Sequence, residues 1–267
     1  MQATGVSGID LYARDDSGRW RWAGVTREPS QDFDAPLVDG MSRESREYTA
    51  YLPLRNGMER LAIGVPAGAA FEGIPPRDRP IVFYGTSITQ GGCASRPGAA
   101  HVAILGRRLD RPVVNLGFAG NGTMDAAVGS LLARIDACCY VIDCSPNMDA
   151  AMIRERAATF LRDLRRARPG VPVVVVEDRL YAQGWLAGWF RHHNDANHAA
   201  LRTAFASVPQ AGMHYVEGDG LLGDDGEGTV DGSHPDDLGF MRLADALEPV
   251  LRRALQEESS RAASGAK

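Results

Sequence analysis

Four short stretches of this sequence hold the side chains that acyl transfer requires. Ser87 stands in FYGTSITQGG (Phe83 to Gly92), Gly120 in NLGFAGNG (Asn115 to Gly122), Asn147 in DCSPNMD (Asp143 to Asp149), and Asp231 and His234 in DGSHP (Asp231 to Pro235). A serine hydroxyl is a poor nucleophile unless a base takes its proton during attack. Of the six histidines, only His234 has a suitable setting: it follows Asp231 by three residues in a glycine-containing turn. Such a turn can bring the carboxylate to the Nδ1–H of His234, fix the tautomer and leave Nε2 facing a serine. The charge on a tetrahedral intermediate needs donors aimed at it. The backbone N–H of Gly120, the side-chain amide of Asn147 and the backbone N–H of Ser87 are candidates. Each residue taken alone has a plainer reading. Ser87 could cap the helix after its strand, Asn147 could be a turn residue before a helix capped by Asp149, and Gly120 could be a turn glycine.

The elements that must position these residues are legible from residue 80 onward. Apolar runs at 81–85, 112–117, 140–144, 171–178 and 213–218 alternate with segments of helical pattern near 98–109, 123–136, 149–168, 186–207 and 235–256. Continuous β-branched runs suit parallel strands covered on both faces by helices. In the 149–168 segment Ile153, Ala157, Phe160, Leu161 and Leu164 share one stripe, and Pro169-Gly170 ends it. Pro235 suits the first position of the last helix. The repeated alternation predicts a three-layer α/β domain with a parallel sheet. Ligands of such sheets sit at the carboxyl ends of the strands, where the strand order switches. All four stretches follow strands or precede the last helix.

Residues 1–75 read differently. RWRW places Trp20 and Trp22 on one strand face, as expected of sandwich core with sugar binding as the alternative, and EYTAYLPL and RLAIGVP are further strand candidates with no helical period. GIPPRDRP (Gly73 to Pro80) reads as a linker. The expected organisation is a small domain over 1–75, a catalytic domain over 79–256 and a disordered tail over 257–267.

The chain has 267 residues and a formal net charge of −5, which offers no broad basic surface to nucleic acid. No apolar run approaches the ~18 residues of a membrane span, and the amino end shows no basic and apolar leader pattern. Cys93, Cys138, Cys139 and Cys144 fit neither a disulfide framework nor a zinc pair, so they are expected to be buried, reduced thiols. The expected location is the cytoplasm. HHNDANH (His192 to His198) lacks a metal-ligand pattern and reads as an exposed helix start. GDDGEG (Gly223 to Gly228) reads as a flexible acidic loop. Trp185 and Trp189 have core spacing on a helix but could instead line an acyl or sugar pocket. No metal site and no cofactor motif stands out.

Taken in order, Ser87, Gly120, Asn147 and His234 resemble the four sequence blocks of the SGNH (GDSL-like) hydrolase superfamily, with GTS in place of the commoner GDS. GIDLY (Gly8 to Tyr12) resembles the signature of a branch with an amino-terminal GxDLY β-sandwich. The resemblance implies a flavodoxin-like αβα domain with a five-stranded parallel sheet, preceded by a small sandwich. It implies Ser87 as nucleophile, His234 as base, Asp231 as its orienter, and Gly120 with Asn147 as oxyanion donors. The branch's sandwich usually has further strands before the signature, whereas Gly8 here follows only seven residues. The expectation is an incomplete sandwich, from a misassigned start, a truncation or a natural variant, which either is completed by a partner chain such as a second copy or is poorly stable. The expected activity is hydrolysis of small acyl esters, acetyl foremost, of a sugar or other polar alcohol. The alternatives are acyl transfer on the same machinery, or an inactive glycan-binding accessory protein.

Overall fold

The computed structural model describes residues 1–27, 30–42, 44–76 and 78–265. A one-turn helix, α1 (Ala3–Ser7), opens the chain where only strands were expected. Strands β1 (Asp10–Arg14), β2 (Trp20–Val25) and β3 (Tyr48–Tyr51) form an antiparallel sheet in the order β2-β1-β3. Among the described residues this sheet has no second sheet facing it. Instead Tyr12 is buried toward the rest of the chain, and the Tyr51 hydroxyl reaches the carbonyl of Ala103. A register shift between Leu11 and Tyr12 interrupts the pairing of β1 with β2. Trp20 and Trp22 are not core residues. Trp20 lies under the Arg14 guanidinium, and Trp22 is half exposed with its indole N–H donating to Asp10. RLAIGVP alternates as a strand would, but it forms none, and Leu61, Ile63 and Val65 stay exposed. Period-two patterning becomes a strand only where a neighbour supplies backbone partners. The linker stretch includes residue 77, which lies outside the described residues.

Beyond the linker the expected alternation is present. Strands β4 (Ile81–Gly85), β5 (Val113–Gly117), β6 (Cys139–Asp143), β7 (Val173–Val176) and β8 (Met213–Val216) form a parallel sheet ordered β5-β4-β6-β7-β8. After β4 comes the single turn α2 (Ser87–Gln90), then α3 (His101–Leu109), α4 (Ala126–Leu132), α5 (Ala150–Ala167), α6 (Gly188–Ala206) and α7 (Asp237–Gly265). Side chains alternate across the sheet. Ile81, Phe83, Cys139, Val141, Val174 and Val176 pack on α3 and α7. Val82, Tyr84, Tyr140, Ile142, Val173 and Val175 pack on the opposite face, against α4, α5 and α6. The α5 stripe is buried as its spacing predicts, and Asp149 caps that helix by accepting from the backbone N–H of Met152 at 2.8 Å.

Several local expectations are corrected. Pro235 does not begin α7; the helix starts at Asp237, and Asp236 caps it by accepting from Gly239 N–H. That helix runs on to Gly265 where a disordered tail was expected, and Glu258 pairs with Arg79; residues 266 and 267 lie outside the described residues. Three cysteines are buried, but Cys93 is only partly so. HHNDANH lies inside α6, with Asn194, Asn197 and His198 buried. The acidic loop is pinned by a forked pair between Arg242 and Asp225 at 2.7 Å. Among the described residues no helix is long and apolar enough to cross a membrane.

Candidate active site

The chain leaves β4 to make β5 on one side and returns to make β6 on the other, so the carboxyl ends of β4 and β6 flank the switch point. Thr86 and Ser87 follow β4, and they divide two jobs. Thr86 is the cap: its hydroxyl accepts from Ile88 N–H at 3.2 Å. Ser87 is the first helical residue, so its own N–H has no partner within the helix. The Ser87 hydroxyl lies 2.8 Å from His234 Nε2.

His234 is held from several sides. Its Nδ1 lies 2.8 Å from Asp231 Oδ2. Asp231 Oδ1 accepts from the backbone N–H groups of Ser233 at 2.9 Å and His234 at 2.7 Å. This carboxylate therefore folds its own turn as well as meeting the ring. Partial burial pushes the Asp231 pKa upward, but the N–H groups of His234 and Ser233 and the nearby ring outweigh it and hold the carboxyl below its ordinary value. Gly232 has φ of +89°, and a side chain there would collide with Gln183. Gln183 donates to the carbonyl of Asp231 at 3.1 Å. The buried Arg179 donates to both the carbonyl and the hydroxyl of Ser233. Arg179 and Gln183 follow the carboxyl end of β7, the same kind of position that marks Ser87 and Asn147 in the sequence.

The loops after β5 and β6 close on the same point. Phe118 N–H donates to Gly85 O at 2.9 Å, tying the β5 loop to the end of β4. The Asn147 amide donates to Ala119 O at 2.5 Å, tying the β6 loop to the turn that holds Gly120. A primary amide has a second N–H, which that bond leaves for a ligand. Gly120 is exposed in this turn, directly after Ala119 with φ of +46°. The structure thus joins Asp231, His234 and Ser87 by direct contacts, and it holds Asn147 against the turn that carries Gly120, a turn tied to the end of β4. It does not bring the HHNDANH residues into a ligand set: His198 contacts Glu177 and the carbonyl of Asp178.

Thr89 and Asp143 lie behind this constellation. The Thr89 hydroxyl donates to Asp143 Oδ2 at 2.9 Å, and Asp143 is buried. Burial raises its pKa to about 7, against the opposing effects of the Thr89 hydroxyl and the Arg179 charge. A raised carboxyl pKa means that the fold prefers the neutral form. Its contribution to stability is complete below the free value of 3.8, declines as pH rises, and is gone above about 7. Asp143→Asn should remove that decline. Melting curves of the two proteins should diverge in favour of the variant between about pH 4 and 7, and parallel curves would contradict a buried neutral carboxyl.

Trp185 and Trp189 are not core residues: they are 83% and 67% exposed. Trp189 stacks on His193 with centroids 5.5 Å apart. Trp185 closes the short turn Ala182–Trp185, whose Ala182 N–H donates to Gly232 O at 2.9 Å. An aromatic surface therefore adjoins the turn that carries His234.

Residues 78–252 match the GDSL-like Lipase/Acylhydrolase family, and residues 1–71 match the GxDLY family, the N-terminus of SGNH-hydrolase-type esterases. Among solved structures, a Bacteroides ovatus protein described as a GDSL-like lipase is 35% identical, with a TM-score of 0.89 over 95% of this chain and 76% of that one. A salicylyl-acyltransferase from a tetracycline biosynthetic pathway is 17% identical, with a TM-score of 0.67 over 92% of this chain and 73% of that one. A family two carbohydrate esterase from Cellvibrio japonicus is 15% identical, with a TM-score of 0.60 over 96% and 84%. No curated protein sequence matches the chain.

Proposed function

The chain belongs to the GDSL-like lipase/acylhydrolase family of serine hydrolases, with a GxDLY amino-terminal segment, and from that premise we propose that it hydrolyses small acyl esters of a saccharide or similar polar alcohol through an acyl-enzyme on Ser87. The observation that carries the proposal is the continuous run of contacts from Asp231 through His234 to Ser87, each 2.8 Å long. Ser87 Oγ attacks the ester carbonyl carbon while its proton passes to His234 Nε2. Gly120 N–H, the free N–H of the Asn147 amide and Ser87 N–H donate to the developing oxyanion. The C–O bond to the alcohol breaks, and the alcohol leaves with the proton from His234. Water then loses a proton to His234 as it attacks the acyl carbon, and Ser87 recovers its proton on release of the acid.

The exposed faces of Trp185 and Trp189 support a saccharide alcohol, because an indole face suits the C–H surface of a sugar ring. The fold is shared with a carbohydrate esterase and with an acyltransferase, which agrees with an ester-handling site without selecting the acceptor. A fluorophosphonate should add once per chain, at Ser87. Acetylated saccharides should release acetate, with little acyl transfer to added alcohols. Trp189→Ala should raise KM for the saccharide ester and leave p-nitrophenyl acetate hydrolysis unchanged. Labelling elsewhere, or preferential transfer to an added alcohol, contradicts the hydrolytic reading.

A further inference from the structure

The GIDLY signature has a definite mechanical target. Asp10 is completely buried in β1, and its carboxylate accepts from three donors on two other segments. Oδ1 takes the indole N–H of Trp22 at 3.0 Å, while Oδ2 takes Gly98 N–H at 2.7 Å and Arg96 Nη1 at 2.9 Å. A buried carboxylate is tolerated only when paired and fully hydrogen-bonded. Two of these three partners belong to one stretch, Gly92 to Gly98, which follows the turn bearing Ser87. Gly98 has no room for a side chain: a Cβ there would lie 2.4 Å from the Tyr12 ring and 2.7 Å from Asp10 Oδ2. Its carbonyl accepts from Arg107 at 2.7 Å, and the Arg107 guanidinium lies 3.9 Å from the Tyr12 ring centroid.

That stretch touches both reacting side chains' elements. Gly92 N–H donates to Ser87 O at 2.7 Å, and the inner side of Gly92 faces the His234 ring. Ser95 N–H donates to Asp237 Oδ1 at 2.8 Å, and the Ser95 hydroxyl donates to Oδ2 of the same carboxylate. Asp237 begins α7, directly after the turn that carries His234. The amino-terminal segment adds further grips: Thr4 Oγ1 donates to Ser95 O, and Leu54 O accepts from Gln90 of α2 at 2.8 Å.

We propose that Asp10 is a positioning residue: by anchoring Arg96 and Gly98 it holds the Gly92–Gly98 stretch so that Ser87 and His234 keep their hydrogen-bonded register. The amino-terminal sheet thus acts on the chemistry while touching no reacting atom. The inference rests on Ser87 being the nucleophile. Its test is Asp10→Asn in the full chain, assayed on p-nitrophenyl acetate, with reactive serines counted by fluorophosphonate stoichiometry. The expected result is a fall of about 10- to 100-fold in kcat per titrated serine with KM unchanged. A purely structural role would lower the melting temperature or the titratable fraction and leave kcat per titrated serine at the wild-type level; that result overturns the proposal. Arg96→Met reads the same link from the other side and carries the test if Asp10→Asn does not fold. A normal turnover per site in these variants, with Ser87→Ala inactive, defeats this inference alone. Wild-type hydrolysis by Ser87→Ala defeats the nucleophile assignment itself.

Discussion

Ser87→Ala is expected to lower kcat/KM for p-nitrophenyl acetate by about 10⁴-fold or more, His234→Ala by a similar factor, and the double variant by no more than either alone. The two residues act as one device: the hydroxyl is useful only while Nε2, 2.8 Å away, can take its proton. Once one partner is gone, the other has nothing further to lose. The fold should be indifferent to the first change, because Thr86, not Ser87, caps α2. Equal melting temperatures for wild type and Ser87→Ala would confirm that the activity loss is chemical. Asp231 is held below the ordinary carboxyl value by partners that outweigh its partial burial, so the ring keeps a charged partner. Undiminished turnover in Ser87→Ala would remove the mechanism.

Asn147→Ala should lower kcat by about 10²- to 10³-fold while KM changes little. An oxyanion donor acts on charge that appears only in the transition state, so its loss is felt in turnover rather than in ground-state binding. The structural price is small. The Asn147 amide bond to Ala119 O contributes about 1 kcal/mol, so the variant should remain folded and should still react once with a fluorophosphonate at Ser87. A raised KM at normal kcat would instead assign Asn147 to substrate binding.

How much of this was legible from sequence varies element by element. The β-branched runs that became β4 to β8 were visible because a parallel strand covered on both faces has to be apolar throughout. The α5 stripe was visible because helical period marks a buried face. RLAIGVP misled, since its alternation met no partner strand. Trp185 and Trp189 had core spacing yet face solvent, because spacing says which residues share a face and not what that face meets. Ser87 alone read as a possible cap, and the start of α2 gives that role to Thr86 instead.

The sequence by itself determined the short-range parts of this protein. The turn from Asp231 to His234 closes on its own hydrogen bonds, and each candidate residue sits beside a recognisable strand or helix end. Only the tertiary structure decided which of those ends meet. Ser87 and His234 touch across 147 positions of sequence. Asp10 finds Gly98 across 88, and Arg179 reaches Ser233 across 54. Periodicity and turn chemistry act over a few residues along the chain. Contacts at such separations depend on strand order and on how helices pack over the sheet, so the brace behind the reacting pair became visible only once the chain was folded.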